Sequence, residues 1–123
     1  MRSQDFLCLL RDIRRHLAGD VSLARLARRA GWSRFHLQRA FRSAVGETPK
    51  QYTQRLRLDR AAIGLLTGAE TVAQIARTTG FRSHEVFTRA FLRRFGCTPA
   101  AYRSRVLAGM PARDRARHAA IIE

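Results

Sequence analysis

The stretch GWSRFHLQRAF, Gly31 to Phe41, returns later in the chain as GFRSHEVFTRAF, Gly80 to Phe91. Ala27, Arg28 and Gly31 match Ala76, Arg77 and Gly80 at an offset of 49. Arg39, Ala40, Phe41, Gly46, Thr48, Pro49 and Tyr52 match Arg89, Ala90, Phe91, Gly96, Thr98, Pro99 and Tyr102 at an offset of 50. One residue has therefore been added between the turn glycine and the helix after it. Two copies are too few for a solenoid, and each copy carries its own tight turn.

Outward from the repeat, the pattern is helical throughout. Phe6, Leu9, Leu10, Ile13 and Leu17 form one stripe, predicting a first helix from Gln4 to Leu17 that Gly19 closes. Ser22 and Ser33 are placed to cap the second and third helices. Thr48, Pro49 and Gln51 form a capping box with proline in the first turn, opening a long fourth helix to Leu66. Thr71 and Ser83 cap the next two, and TPAAY opens a seventh. The expectation is an all-α fold of seven helices. Residues 1–48 and 68–108 form two helix-turn-helix subdomains, 49–67 link them, and 109–123 form a tail or truncated linker.

A short helix, a glycine turn and a second helix with a polar outer face are what the major groove accepts. Periodicity assigns Leu37, Ala40, Phe41 and Val45 (or Ala44) to the core of the third helix, leaving Arg34, Phe35, Gln38, Arg39 and Arg42 outside. In the sixth helix Phe87, Ala90, Phe91 and Phe95 face in, and His84, Glu85, Thr88, Arg89 and Arg93 face out. Arginine can grip guanine O6 and N7, and glutamine adenine N6 and N7. Phe35 can press on a thymine methyl or fold back into the core. Glu85 can accept from a cytosine amino group or pair with a nearby arginine. Trp32 and Phe81 are expected to pack between the helices of each unit, and Tyr52 and Tyr102 to lock the following helix. His36 reads as half-buried or as a phosphate contact. Lys50, Arg55, Arg57 and Arg60 read as a solvated face, and Cys8 and Cys97 as packing residues.

The composition agrees with this reading. The 123 residues carry a formal net charge of +15, with Lys50 the only lysine. So large a positive field favours nucleic acid, then an anionic membrane surface. The cysteines have no metal spacing, and neither a carboxylate pair, a nucleophile–base set nor a phosphate loop is present. The expectations are no enzyme activity, no cofactor, no metal, no membrane partner and a cytoplasmic, nucleoid-associated location.

The segment IARTTGFRSHEVFTRAFLRRFGCTPAAYR, Ile75 to Arg103, resembles the DNA-binding region of the AraC/XylS family of bacterial transcription regulators. The glycine–aromatic turn, the Phe-x-Arg-x-Phe run and the Gly-x-x-Pro-x-x-Tyr ending carry the resemblance, which extends over about Gln4 to Arg105. It implies a long fourth helix bridging two subdomains whose recognition helices enter successive major grooves of double-stranded promoter DNA. It implies a monomeric DNA-binding region, an asymmetric site and a regulator, usually an activator, that contacts RNA polymerase. The 123 residues leave no room for a sensor domain. The chain thus resembles either a stand-alone member or the DNA-binding piece of a longer protein. SHEVFTRAF is similar to members that place a gyrase-inhibitor-type ligand domain after the reader. The competing reading is nonspecific, charge-driven binding of nucleic acid.

Overall fold

The computed structural model describes residues 3–109, and the expected tail or truncated linker, beyond its first residue Gly109, lies outside them. Within them run α1 (Ser3–Arg15), α2 (Leu23–Ala30), α3 (Arg34–Val45), α4 (Pro49–Thr67), α5 (Val72–Thr78), α6 (His84–Phe95) and α7 (Pro99–Ala108), with no strand among the described residues. The chain divides into two compact units and passes from one to the other between Leu56 and Arg57, inside α4.

In the first unit, Leu9, Ile13 and Leu17 pack with Leu26 and Ala27 of α2, Leu37 and Phe41 of α3, and Tyr52 of α4. Phe6 and Tyr52 both lie against the Phe41 ring, at 5.4 and 5.5 Å between centroids. Helix α1 stops at Arg15, two residues short of the expected Leu17. Just past it His16 N–H donates to the Asp12 carbonyl, and Gly19 N–H turns back to the His16 carbonyl. Leu17 fills the core from this turn and is fully buried. Before α2, the Asp20 carboxylate accepts from Ser22 N–H at 2.9 Å. The hydrogen bonds from Ser22 hold the Asp20 carboxyl below its usual range.

The second unit is built the same way. Leu58, Ala61, Ala62 and Leu65 of α4 take the part played by α1, and pack with Ile75, Ala76, Phe87, Ala90 and Phe91. Phe91 is its aromatic hub, 5.7 Å from Phe87, 4.5 Å from Phe95 and 5.4 Å from Tyr102. Thus α4 is the last helix of one unit and the first of the other.

The turns repeat bond for bond. Gly31 N–H donates to the Arg28 carbonyl and Trp32 N–H to Ala27; Gly80 donates to Arg77 and Phe81 to Ala76. Both glycines are left-handed, with φ of +73° and +95°. This double bond pattern ends a helix sharply and needs a residue at positive φ. The caps hold as expected at Ser22, Ser33, Thr71 and Ser83, each hydroxyl accepting from a backbone N–H three residues on. Thr48 and Gln51 complete their reciprocal box at 2.9 and 3.1 Å. Thr71 and Gln74 form another.

Two sequence expectations fail here. Cys8 is exposed, because the α1 stripe passes through Phe6, Leu9 and Ile13 and leaves Leu7 and Cys8 outside it. The set Lys50, Arg55, Arg57 and Arg60 is not one solvated face. Arg55 donates to Glu47 at 2.6 Å and lies over the Tyr52 ring, and Arg57 is half-buried. Burial pulls the Arg57 pKa below the ordinary arginine value.

Candidate nucleic-acid interface

Each second helix is fixed at both ends. Ser33 accepts from His36 N–H at 3.1 Å to start α3, and Gly46 closes it at φ +88°. Ser83 accepts from Val86 N–H at 3.1 Å to start α6, and Gly96 closes it at φ +76°. On the inner side Leu37 and Phe41 anchor α3, and Phe87, Ala90 and Phe91 anchor α6. Val45 packs against the core and Ala44 is exposed, which settles the choice between them.

With the helices so anchored, Arg34, Phe35, Gln38, Arg39 and Arg42 are all exposed on α3. Phe35 does not fold back; it is 71% exposed, the most open large apolar side chain among the described residues. Its ring carries the Arg39 guanidinium, with Cζ 5.4 Å from the centroid. The two residues are one turn apart, where helical side chains meet. The ring attracts the cation without neutralising it.

On α6, His84, Glu85, Arg89 and Arg93 are exposed and Thr88 is half-buried. Arg89 Nη2 donates to Glu85 Oε1 across one helical turn. The pairing alternative raised for Glu85 is therefore realised in this structure. The face departs from α3 in charge: Glu85 puts an acid in the first turn of α6, whereas α3 has none there. Partial positive charge at a helix start attracts phosphate, and an acid beside it opposes that attraction.

Other basic side chains belong to the scaffold. Arg94 binds Asp59 of α4 at 2.8 Å, so of the neighbours Arg93 and Arg94 only the first is left on the outer face without this tie. Arg103 donates to the carbonyls of Leu65 and Glu70, fastening α7 to the end of α4 and the loop after it. Sequence reasoning missed both, since partners more than thirty residues away leave no periodic trace. It also missed the Phe35–Arg39 stack, for which the four-residue spacing was a usable signal. His36 is exposed and meets the edge of Trp32 at 4.7 Å between centroids, so of its two expected roles the half-buried one fails and exposure is compatible with the phosphate contact. Trp32 and Phe81 do border the cores, as expected. Among the described residues no three His, Cys, Asp or Glu side chains could hold a metal ion together. No described helix is long and apolar enough to cross a membrane.

Two units of helix, glycine turn and capped second helix, each with an exposed polar face, define a tandem helix-turn-helix protein. Residues 26–105 match the family described as Helix-turn-helix domain. The right origin-binding protein of Escherichia coli strain K12 is 40% identical over 88 residues, covering 72% of this chain. The chain spans 30% of that protein's length. Regulatory protein SoxS of the same strain is 34% identical over 98 residues, covering 80% of this chain and 92% of SoxS. Among solved structures, the DNA-binding domain of AdpA, a global transcriptional factor crystallised with a target DNA, superposes with a TM-score of 0.81. It is 34% identical and covers 85% of this chain and 94% of that one. The chain belongs to the AraC/XylS family of DNA-binding transcription regulators.

Proposed function

We propose that this chain reads double-stranded DNA through α3 and α6, each in its own major groove, and regulates the promoter beside its site. The observation that carries the reading is the pair Arg39 and Arg89. Each stands at the same place on the outer face of a second helix, with the core side of that helix anchored by buried apolar side chains, Phe41 and Phe91 among them. Arg34, Phe35, Gln38, Arg39 and Arg42 contact one block of bases and phosphates. His84, Thr88, Arg89 and Arg93 contact another, with Glu85 on the same face paired to Arg89. The two sets differ, so the blocks differ and the site is asymmetric. A single copy of the chain suffices, because it carries two readers where a simple repressor needs a dimer. Successive grooves lie about 34 Å apart on one face of the duplex, and a modest bend lets both helices seat.

SoxS is named a regulatory protein and AdpA a transcriptional factor, and both names support a role at promoters. We extend the role to activation through contact with RNA polymerase, in the cytoplasm at the nucleoid. The competing reading, attachment by charge alone, is favoured by the net charge of +15. Binding to a selected duplex with and without excess random DNA separates the two. A sequence reader keeps a preference of about 10³-fold or more at physiological salt, whereas a charge-driven binder loses it.

A further inference from the structure

We infer that Glu85 is a positioning residue that sets the specificity of α6, an inference resting on the reading of that helix as a base reader. Phe35 and Glu85 are equivalent positions at the offset of 50, as are Arg39 and Arg89. Each shared arginine is thus held by the residue one turn before it, but by opposite chemistry. Phe35 offers a ring face and leaves the guanidinium charge intact. Glu85 offers a carboxylate and cancels that charge.

The geometry leaves the arginine able to read. Glu85 accepts from Nη2, which carries two hydrogens. The second of these, with one on Nη1, forms the forward edge that fits guanine O6 and N7. Glu85 and Arg89 side chains are 72% and 69% exposed, so both can reach a duplex. An ion pair this open does little for stability. Its effect on DNA is larger. A bare arginine on this face is drawn to any phosphate, and phosphate carries no sequence. With Glu85 beside it, attraction to phosphate is offset, and guanine is the partner that satisfies the forward edge. The outer face of α3 holds Arg34, Arg39 and Arg42 with no acid, while that of α6 holds Arg89 and Arg93 against Glu85. General attraction is therefore concentrated on α3 and discrimination on α6.

The test compares the full chain with Glu85→Gln and Glu85→Phe, using sequences selected from random duplex DNA and affinities measured over a salt series. Thermal melts confirm that the exposed substitutions leave the fold intact. Glu85→Gln should bind all duplexes more tightly, and the slope of log affinity on log salt should steepen by about 0.9, one phosphate contact. The guanine preference at one position of the α6 block should fall by about tenfold. The α3 block should not change. Glu85→Phe should also bind more tightly and lose guanine preference, since a ring holds the arginine as Phe35 does but leaves its charge free to seek phosphate. Unchanged slope and preference in Glu85→Gln would overturn the inference. So would weaker binding with loss of a cytosine preference, which is what direct reading by the carboxylate produces. If the unaltered chain selects no block that Arg89→Ala abolishes, base reading by α6 itself fails, and the inference falls with it.

Discussion

Replacing Gly31 by alanine isolates the cost of the turn on which the first reading helix depends. Gly31 sits at φ +73° and ψ 29°, and its N–H bonds toward the end of α2. A Cβ built there meets no heavy atom within 4 Å. The substitution therefore carries no steric penalty, and what remains is the intrinsic cost of a left-handed L-residue, about 1–2 kcal/mol. Alanine also narrows the unfolded chain, which offsets roughly 0.4–1 kcal/mol. The net expectation is a loss of about 1 kcal/mol, or roughly 4–8 °C in Tm for a unit of this size. Gly31→Asn should lose less, because asparagine tolerates the left-handed region better. The assay is urea and thermal unfolding followed by circular dichroism, with DNA affinity measured well below the transition. Affinity there should be near that of the unaltered chain. A loss above about 3 kcal/mol would show a packed rather than open turn, and no loss would show that the residue is not left-handed in solution.

Phe91→Ala, which removes a fully buried ring touching three other aromatics, should cost about 3–5 kcal/mol by denaturant unfolding. Thr71→Ala removes one half of a reciprocal capping box and should cost about 1 kcal/mol in the same assay. Arg39→Ala should weaken binding to the selected site by about 1–3 kcal/mol in a fluorescence titration and relax the preference at one base. Exposed Cys8 should react with a thiol reagent faster than half-buried Cys97, and Cys8→Ser should shift stability by less than about 0.5 kcal/mol.

Much of this architecture is written locally. Ser33 and Ser83 cap helices through atoms three residues away, and Gly31 and Gly80 end them through bonds to the preceding turn. Such features depend on neighbours in sequence, so the repeat exposes them twice. The outward faces follow from the same periodicity once Phe41 and Phe91 are assigned inward. What the chain does not display is the partner of each charge. Arg94 and Arg93 are adjacent and alike in sequence, yet Arg94 is tied to Asp59 across the second unit. Arg103 looks like any surface arginine and instead fastens two carbonyls. Arg57 lies half-buried on a helix shared by two cores, a place that no single stripe on α4 describes. The end of α1 escaped for the opposite reason. Leu17 continues the apolar spacing, but it enters the core from a turn, and spacing alone does not separate the two geometries.

The most direct test of the central claim is selection of bound sequences from a random duplex pool at near-physiological salt, using the full chain. The account predicts two unlike blocks with centres about 10 base pairs apart, one altered by Arg39→Ala and the other by Arg89→Ala. Absence of any enriched sequence would contradict it and leave charge as the sole basis of binding.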